Sequence, residues 1–231
     1  MQFHGSTSNP NGPMHSRPER AIDAMDTDRR QEHWQATYTA KGEHDLSWFQ
    51  ATPQPSLGLI EQAGPTPFSA IVDIGGGASN LVDSLLEQGF HDITVLDLSL
   101  AALVAARTRL GTKAESVRWI VADVTTWEPP QTYDVWHDRA TFHFLVNEAD
   151  RAAYLAHLTQ YLKPGGHAII ATFAPDGPEK CSGLPVRRYD ADSLSQTLGP
   201  AFQRVSTQRH AHTTPWGAQQ AFQFSVFRRA S

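Results

Sequence analysis

The chain of 231 residues is long enough for one full domain with an appendage. Its 19 Lys and Arg residues stand against 24 Asp and Glu residues, and the resulting formal net charge of −5 argues against a general nucleic-acid binder. A single cysteine, Cys181, excludes an intramolecular disulfide and fits a reducing, cytoplasmic setting, while no apolar stretch approaches the ~18–20 residues that span a membrane.

The N-terminal part of the chain divides into two segments. Residues 1–28 are rich in Asn, Gly, Pro and Ser without hydrophobic periodicity, which predicts a flexible tail and no targeting signal. Residues 29–64 predict a helix over 29–40 and a short helix capped by Ser56, before a break at Gly64. We expect this second segment to form a helical lid, because its four aromatic residues need a partner: Trp34, Tyr38, Trp48 and Phe49.

From residue 65 to 231 strands and helices alternate. Strands are predicted at residues 70–74, 93–97, 117–121, 134–136, 167–173, 202–206 and 220–227, with helices at 79–88, 99–110, 148–162 and 190–198. Such alternation indicates one α/β domain with a doubly wound, seven-stranded, mainly parallel sheet covered by helices on both faces. Because no helix joins the last two strands, we expect them to pair in antiparallel fashion.

The turn after the first strand has the composition of a ligand-binding loop. Asp73 ends that strand, and the run 75–77 is Gly-Gly-Gly, which permits a sharp turn and close approach of a ligand to the backbone. Asp97 and Asp123 end the next two strands, and Asp97 has the spacing expected for an acid that binds a ribose hydroxyl. A dinucleotide site is the first alternative, but Asn80 stands where such a loop usually has its third glycine.

These residues resemble the first three motifs of class I S-adenosylmethionine-dependent methyltransferases. The resemblance implies a Rossmann-like methyltransferase fold and S-adenosylmethionine as the cofactor. It further implies that Asp97 binds the ribose hydroxyls, Leu98 and Val124 lie against the adenine, and Asp123 accepts a hydrogen bond from the adenine amine. Ser79 replaces the third glycine of the motif. The cofactor-binding residues expected on these grounds are Asp73, Gly75, Gly76, Gly77, Ser79, Asn80, Asp97, Leu98, Ser99, Asp123, Val124 and His137.

A narrower resemblance concerns the end of the fourth strand. Residues 138–142, Asp-Arg-Ala-Thr-Phe, resemble the Asp-Lys-Gly-Thr segment of the methyltransferase-like family, which includes lysine methyltransferases of elongation factor 1A and mitochondrial citrate synthase. Trp34, Tyr38 and the stretch 45–50 resemble the N-terminal segment of that family. Arg139 replaces its usual Lys and Ala140 its usual Gly, and the chain is most similar to bacterial members of the group.

The same strand end carries the candidate catalytic residues His137, Asp138, Arg139 and His143. An imidazole titrates near neutral pH and can serve as a base, whereas Asp138 can orient a neighbour or neutralise a cationic substrate. Other acceptor-side candidates are Phe142, Cys181 and His212, where Cys181 is either a reactive thiol or a buried apolar filler. Residues 174–185 form either a substrate lid or an ordinary connection. No metal site is expected, because the histidines lack ligand spacing.

Together these features predict methyl transfer from S-adenosylmethionine to an N, S or O atom of a small molecule or protein side chain. Two alternatives remain: a nicotinamide-dependent reductase and a non-catalytic S-adenosylmethionine-binding module. The reductase would need a Tyr-x-x-x-Lys pair and a glycine at position 80, and neither is present. We expect a methyl acceptor as the partner, with no nucleic acid or membrane; the oligomeric state stays open.

Overall fold

The computed structural model describes Met1 and residues 27–230, so most of the tail predicted for residues 1–28 lies outside the described residues. The described helices are α1 (Thr27–Ala40), α2 (Ser56–Gln62), α3 (Leu81–Glu87), α4 (Leu100–Leu110), α5 (Glu148–Tyr161) and α6 (Ala191–Leu198). The described strands are β1 (Ala70–Ile74), β2 (Asp92–Asp97), β3 (Val117–Val121), β4 (Tyr133–Arg139), β5 (Leu162–Phe173), β6 (Lys180–Cys181), β7 (Leu184–Pro185), β8 (Phe202–Thr213) and β9 (Gln219–Arg229).

Seven of these strands form one sheet in the order β3-β2-β1-β4-β5-β9-β8. The strands from β3 to β5 are parallel, and β9 runs antiparallel between β5 and β8. This confirms the doubly wound fold and the antiparallel last strand. Since β1 and β4 are neighbours on either side of the point where the strand order reverses, their carboxyl ends form the crevice in which such sheets bind ligands.

The core lies on both faces of the sheet, as expected for parallel strands covered by helices. On one face Val72 and Trp136 pack with Tyr154 of α5, and on the other Ile71 packs with Leu85 of α3. Every residue of β1 is buried, which explains why its sequence is an apolar run with the single acid Asp73. The two packed faces hold the strand ends of the crevice rigidly in place.

Local signals predicted most boundaries correctly. The side chains of Ser99 and Asn147 accept hydrogen bonds from backbone N–H groups and cap α4 and α5, and Gly111, with φ of 58°, ends α4. The cap predicted at Ser56 is wrong. Ser56 is the first residue of α2 and its side chain makes no capping bond, because its hydroxyl instead pairs with His137.

Other differences have tertiary causes. Helix α3 begins at Leu81 and not at residue 79, and β5 begins at Leu162, which pairs with Tyr133, so the run predicted to end α5 belongs to a strand. Strand β8 runs to Thr213, far into the predicted connection 208–219, whereas β9 begins at Gln219, one residue before its predicted start. Strand β8 is the exposed edge of the sheet, so it lacks the apolar alternation that reveals a strand in sequence.

Two kinds of feature are absent from the described part of the chain. Within residues 27–230, no helix is both long enough and apolar enough to cross a lipid bilayer. Across the same residues, no three His, Cys, Asp or Glu side chains are grouped so that they could hold a metal ion.

Candidate active site

A cavity of about 830 Å³ opens at the carboxyl ends of the central strands. Its lining includes residues from α1, from the ends of β1, β2, β3 and β4, and from β5 and β9: Arg30, Trp34, Tyr38, Trp48, Gly75, Leu96, Asp97, Leu98, Ala122, Asp123, Val124, Arg139, Ala140, Thr141, Phe144, Leu145, Phe173, Cys181, Gln220 and Phe222. The fold thus brings together the strand-end acids that the sequence places far apart.

The glycine loop forms the floor between β1 and β4. Gly75 has φ of 66°, and a Cβ atom added there would lie 1.9 Å from Oγ1 of Thr141. The Thr141 hydroxyl donates a hydrogen bond to the carbonyl of Ile74 at 3.1 Å, so it is fixed against the loop. A Cβ at Gly76 would lie 2.6 Å from Oδ2 of Asp73. These approaches require glycine, as the sequence indicated.

Asp97 lies at the cavity wall with its carboxylate held in place. Its Oδ1 accepts a hydrogen bond from the backbone N–H of Ser99 at 2.8 Å. Burial raises the pKa of Asp97 to about 7, although hydrogen bonds from the backbone oppose the shift. Ser99 itself is fully buried and caps α4, so it orients the acid and the loop.

Asp123 is tied to the N-terminal helix by an ion pair that sequence reasoning missed. Its Oδ2 accepts from Nη2 of Arg30 at 2.7 Å and from the hydroxyl of Thr27, while Nη1 of Arg30 donates to Asp150 on α5. Burial alone would raise the pKa of Asp123, but hydrogen bonds from Thr125 and the charge of Arg30 hold it below its usual value.

The position of Arg30 could have been found from helical spacing. Arg30, Trp34 and Tyr38 are four residues apart, so they share one face of α1 and all three line the cavity. Gln35 adds a further anchor, since its Oε1 accepts from the hydroxyl of Ser99 at 3.2 Å. Helix α1 is therefore attached to the cofactor side of the crevice by charge and by hydrogen bonds.

Aromatic rings from the lid segment meet rings from the sheet above the loop. The ring of Trp34 packs edge-on against Trp48 and Phe144, with centroids 5.7 and 5.1 Å apart. Nε1 of Trp48 donates to the hydroxyl of Tyr38 at 3.2 Å, and a Cβ at Gly77 would lie 2.6 Å from that hydroxyl. These contacts place three of the four predicted lid aromatics, Trp34, Tyr38 and Trp48, at the cavity, and a lid motion stays a prediction.

The candidates His137 and Asp138 lie beneath the cavity and are engaged by the protein itself. Nδ1 of His137 lies 2.7 Å from Oδ1 of Asp73, and Nε2 lies 2.8 Å from the hydroxyl of Ser56. Asp138 is fully buried, and its carboxylate accepts from the hydroxyl of Tyr154 and from two backbone N–H groups of the loop after β4. This arrangement gives both residues a positioning role.

The imidazole of His143 is also poorly placed for catalysis. It is fully buried between Phe144 and Phe173 and is not part of the cavity lining. Burial, with the nearby charge of Arg139, lowers the pKa of His143 to about 3. An imidazole so weakly basic and so enclosed is a poor proton acceptor, and the histidine base expected from the sequence has no support in this geometry.

The remaining candidates divide between the cavity and its surroundings. Cys181 lines the cavity, but burial raises the pKa of its thiol to about 12, so it behaves as an apolar filler. Phe142 is a core residue against Tyr154. Phe49 and His212 lie outside the main cavity, and Nε2 of His212 lies 2.7 Å from the carbonyl of Ser47. Two loop residues, Ser79 and Asn80, line a smaller cleft beside the cavity.

Comparison with known proteins supports one interpretation of this site. Residues 71–166 match the family described as "Methyltransferase domain". A malonyl-[acyl-carrier protein] O-methyltransferase of Ilyobacter polytropus is 28% identical over 138 residues, covering 59% of this chain but only 51% of that protein. Thiocyanate methyltransferase 1 of Arabidopsis thaliana is 27% identical over 172 residues, covering 73% of each chain.

A solved structure shares the fold over nearly the whole chain. The 1,6-didemethyltoxoflavin-N1-methyltransferase of Burkholderia thailandensis, with bound S-adenosylhomocysteine, matches with a TM-score of 0.65 and 20% identity, covering 96% of this chain and 93% of that one. The matched domain contains the glycine loop and both strand-end acids, Asp97 and Asp123. Residues 71–166 therefore form a methyltransferase domain, and the chain as a whole shares the fold of a methyltransferase that binds S-adenosylhomocysteine.

Proposed function

We propose that this protein transfers a methyl group from S-adenosylmethionine to a small-molecule acceptor. The observation that carries the proposal is the single cavity that joins the Gly75 loop, Asp97 and Asp123 on one side to an aromatic-walled compartment on the other. The cofactor would lie on the side of the acids and the acceptor on the aromatic side. Arg30, Trp34 and Tyr38 of α1 line one wall of this cavity, and a space bordered in this way suits a small acceptor better than a protein side chain.

The residues present fit this cofactor. Asp97 would accept hydrogen bonds from the two ribose hydroxyls, and Leu98 and Val124 would lie against the adenine. Asp123, which is paired with Arg30, would accept a hydrogen bond from the adenine amine. Gly75 lines the main cavity, and both Gly75 and Gly76 line a second small cleft with Asp73, His137 and Ser79, where the methionine part would lie.

Methyl transfer is an in-line displacement in which the protein itself forms no covalent bond. The bound sulfonium supplies the electrophilic methyl carbon and accepts the bonding electron pair. The chain contributes position and the exclusion of water. Asp138 and Tyr154 hold the end of β4 rigid, and the rings of Trp34, Trp48 and Phe144 close the acceptor side from solvent.

The cellular setting is part of the same proposal. We infer that the protein acts in the cytoplasm, because its lone Cys181 is a free thiol buried in the fold and reduced cysteines are characteristic of that compartment.

Asp97 provides the direct test of the cofactor assignment. Two charge-assisted hydrogen bonds, each worth roughly 1.5–3 kcal/mol, should be weakened in Asp97→Asn, so affinity for S-adenosylhomocysteine should fall at least about tenfold by titration calorimetry. The matched control is Asp92→Asn, at the other end of β2, which should bind normally. Unchanged affinity in a folded Asp97→Asn protein would refute the assignment.

The same carboxylate predicts a pH dependence of binding. Because burial raises the pKa of Asp97 to about 7, the free protein holds a proton there in mildly acidic solution. Hydrogen bonds from hydroxyl groups favour the ionised form, so that proton must leave on binding. We expect affinity to fall as pH drops below about 7, by up to about tenfold per pH unit. Calorimetry between about pH 5.5 and 8 should find this slope in the wild type and lose it in Asp97→Asn.

A further inference from the structure

Arg139 is a cation at the cavity wall whose charge the protein leaves unbalanced. Its Nη1 donates to the backbone carbonyl of Trp48 at 2.9 Å, and its guanidinium lies 5.5 Å from the ring centroid of Phe222. Its Nη2 is buried and has no hydrogen-bond partner. Within residues 27–230, no carboxylate forms an ion pair with it, since the nearby Asp73 is engaged by His137.

A buried guanidinium without an ion-pair partner destabilises the folded protein unless a bound ligand supplies the missing hydrogen bonds. A buried charge is normally paired or hydrogen-bonded on all sides, because removal from water is expensive. Burial lowers the pKa of Arg139 to about 10, and the residue therefore stays protonated at neutral pH. The planar guanidinium presents donors in a fork that matches a carboxylate in both shape and charge.

The position of Arg139 separates it from the expected adenosine site. Asp97 ends β2 and Asp123 lies in the loop after β3, whereas Arg139 ends β4 and faces the residues of β5 and β9. Burial and, in addition, the positive charge of Arg139 lower the pKa values of His143, His210 and His212, which lie on that side. The acceptor compartment is therefore positive and walled by aromatic rings.

This compartment offers no free general base. The titratable side chains that line the cavity are Arg30, Tyr38, Asp97, Asp123, Arg139 and Cys181. Burial raises the pKa of Tyr38 far above its usual value and that of Cys181 to about 12, while Asp123 is bonded to Arg30 and Asp97 would be bonded to the ribose hydroxyls of the cofactor. A hydroxyl or an ammonium acceptor would have to lose a proton to one of these groups. A carboxylate, with a usual pKa near 4, is already ionised.

We propose that the methyl acceptor is a carboxylate, held by the Arg139 guanidinium and methylated on oxygen to give a methyl ester. An O–CH₃ bond forms as the S–CH₃ bond breaks, and the electron pair of the broken bond goes to sulfur. No proton leaves the acceptor, so no base is required. This inference rests on the proposed methyltransferase function and specifies its substrate class.

A binding experiment tests the charge preference without requiring turnover. In the complex with S-adenosylhomocysteine, benzoate should bind at least about tenfold more tightly than benzamide, which has the same shape but no charge. Arg139→Gln should remove this preference, and Arg204→Gln, an exposed control that is paired with Asp192, should retain it. Equal binding of benzoate and benzamide to the wild type would overturn the proposal.

A second arm identifies the source of the carboxylate, because the methionine part of the cofactor carries one too. Arg139 also lines the small cleft beside the glycine loop that contains Asp73 and His137. The probes are S-adenosylhomocysteine and 5′-methylthioadenosine, which lacks the amino-acid carboxylate. If Arg139 binds the acceptor, Arg139→Gln should leave the ratio of the two affinities unchanged. A selective loss of S-adenosylhomocysteine affinity would assign Arg139 to the cofactor and overturn the proposal.

The stability of the methylated product to base shows which type of bond the enzyme forms. The wild-type protein is incubated with methyl-labelled S-adenosylmethionine and a small-molecule extract of a bacterial culture, and the products are then treated with mild base. Methyl esters should release the label as volatile methanol, whereas N-methyl, S-methyl and ether products retain it. Retained label would overturn the carboxylate assignment but support methyl transfer. Absence of cofactor binding in calorimetry would instead refute the proposed function itself.

Discussion

Replacement of Gly75 by alanine should nearly eliminate cofactor binding. The added Cβ atom would lie 1.9 Å from Oγ1 of Thr141, and the residue has φ of 66°, a region unfavourable for any side chain. Thr141 cannot move away freely, because its hydroxyl is bonded to the carbonyl of Ile74 and its N–H to Asp138. The loop must therefore shift, and a displacement of about 1 Å at such a site can cost about a hundredfold.

The matched control is Gly89→Ala. Gly89 has φ of 83°, but a Cβ there would meet no atom within 4 Å, so the variant carries the backbone strain without the collision. Thermal unfolding separates a loss of stability from a loss of binding, and titration with S-adenosylhomocysteine gives the affinity. If Gly75→Ala bound the cofactor as tightly as Gly89→Ala does, the close approach of the loop to Thr141 would not matter for binding.

Deletion of residues 1–50 should abolish methyl transfer, whereas deletion of residues 1–26 should leave cofactor binding intact. The longer deletion removes the ion pair between Arg30 and Asp123 and the hydrogen bond that Gln35 accepts at the start of α4. It also removes the rings of Trp34 and Trp48 that line the acceptor compartment. It also removes the carbonyl of Trp48 that holds Arg139. The cavity would then open to water, which weakens every electrostatic contact within it.

Because the 1–50 deletion could lose activity simply by failing to fold, a point variant provides a second test of the same prediction. Arg30→Met keeps the length of the side chain but breaks both ion pairs of Arg30, so turnover should fall and proteolysis before residue 50 should become faster. Glu32→Gln, on the exposed face of the same helix, serves as the control and should behave as the wild type. Full activity in the folded 1–50 deletion would show that the N-terminal segment has no role at the site.

Sequence periodicity was sufficient for the fold, because the information lies in short segments. The apolar run of β1 is bounded by turn residues, and Ser99 and Asn147 cap their helices with their own side chains. Strand-end acids at regular intervals likewise indicated the cofactor side, since parallel strands bring their carboxyl ends to one edge. These features depend on neighbours along the chain or on the parallel order alone.

The roles of individual polar side chains were decided by contacts between distant segments. His137 and His143 stand in a sequence context typical of catalysis, yet packing engages one with Asp73 and Ser56 and encloses the other between aromatic rings. The partners of Arg30 lie in the loop after β3 and in α5. The charge of Arg139 stands out only because burial and pairing are properties of the assembled structure, where the cost of an unpaired charge depends on what surrounds it.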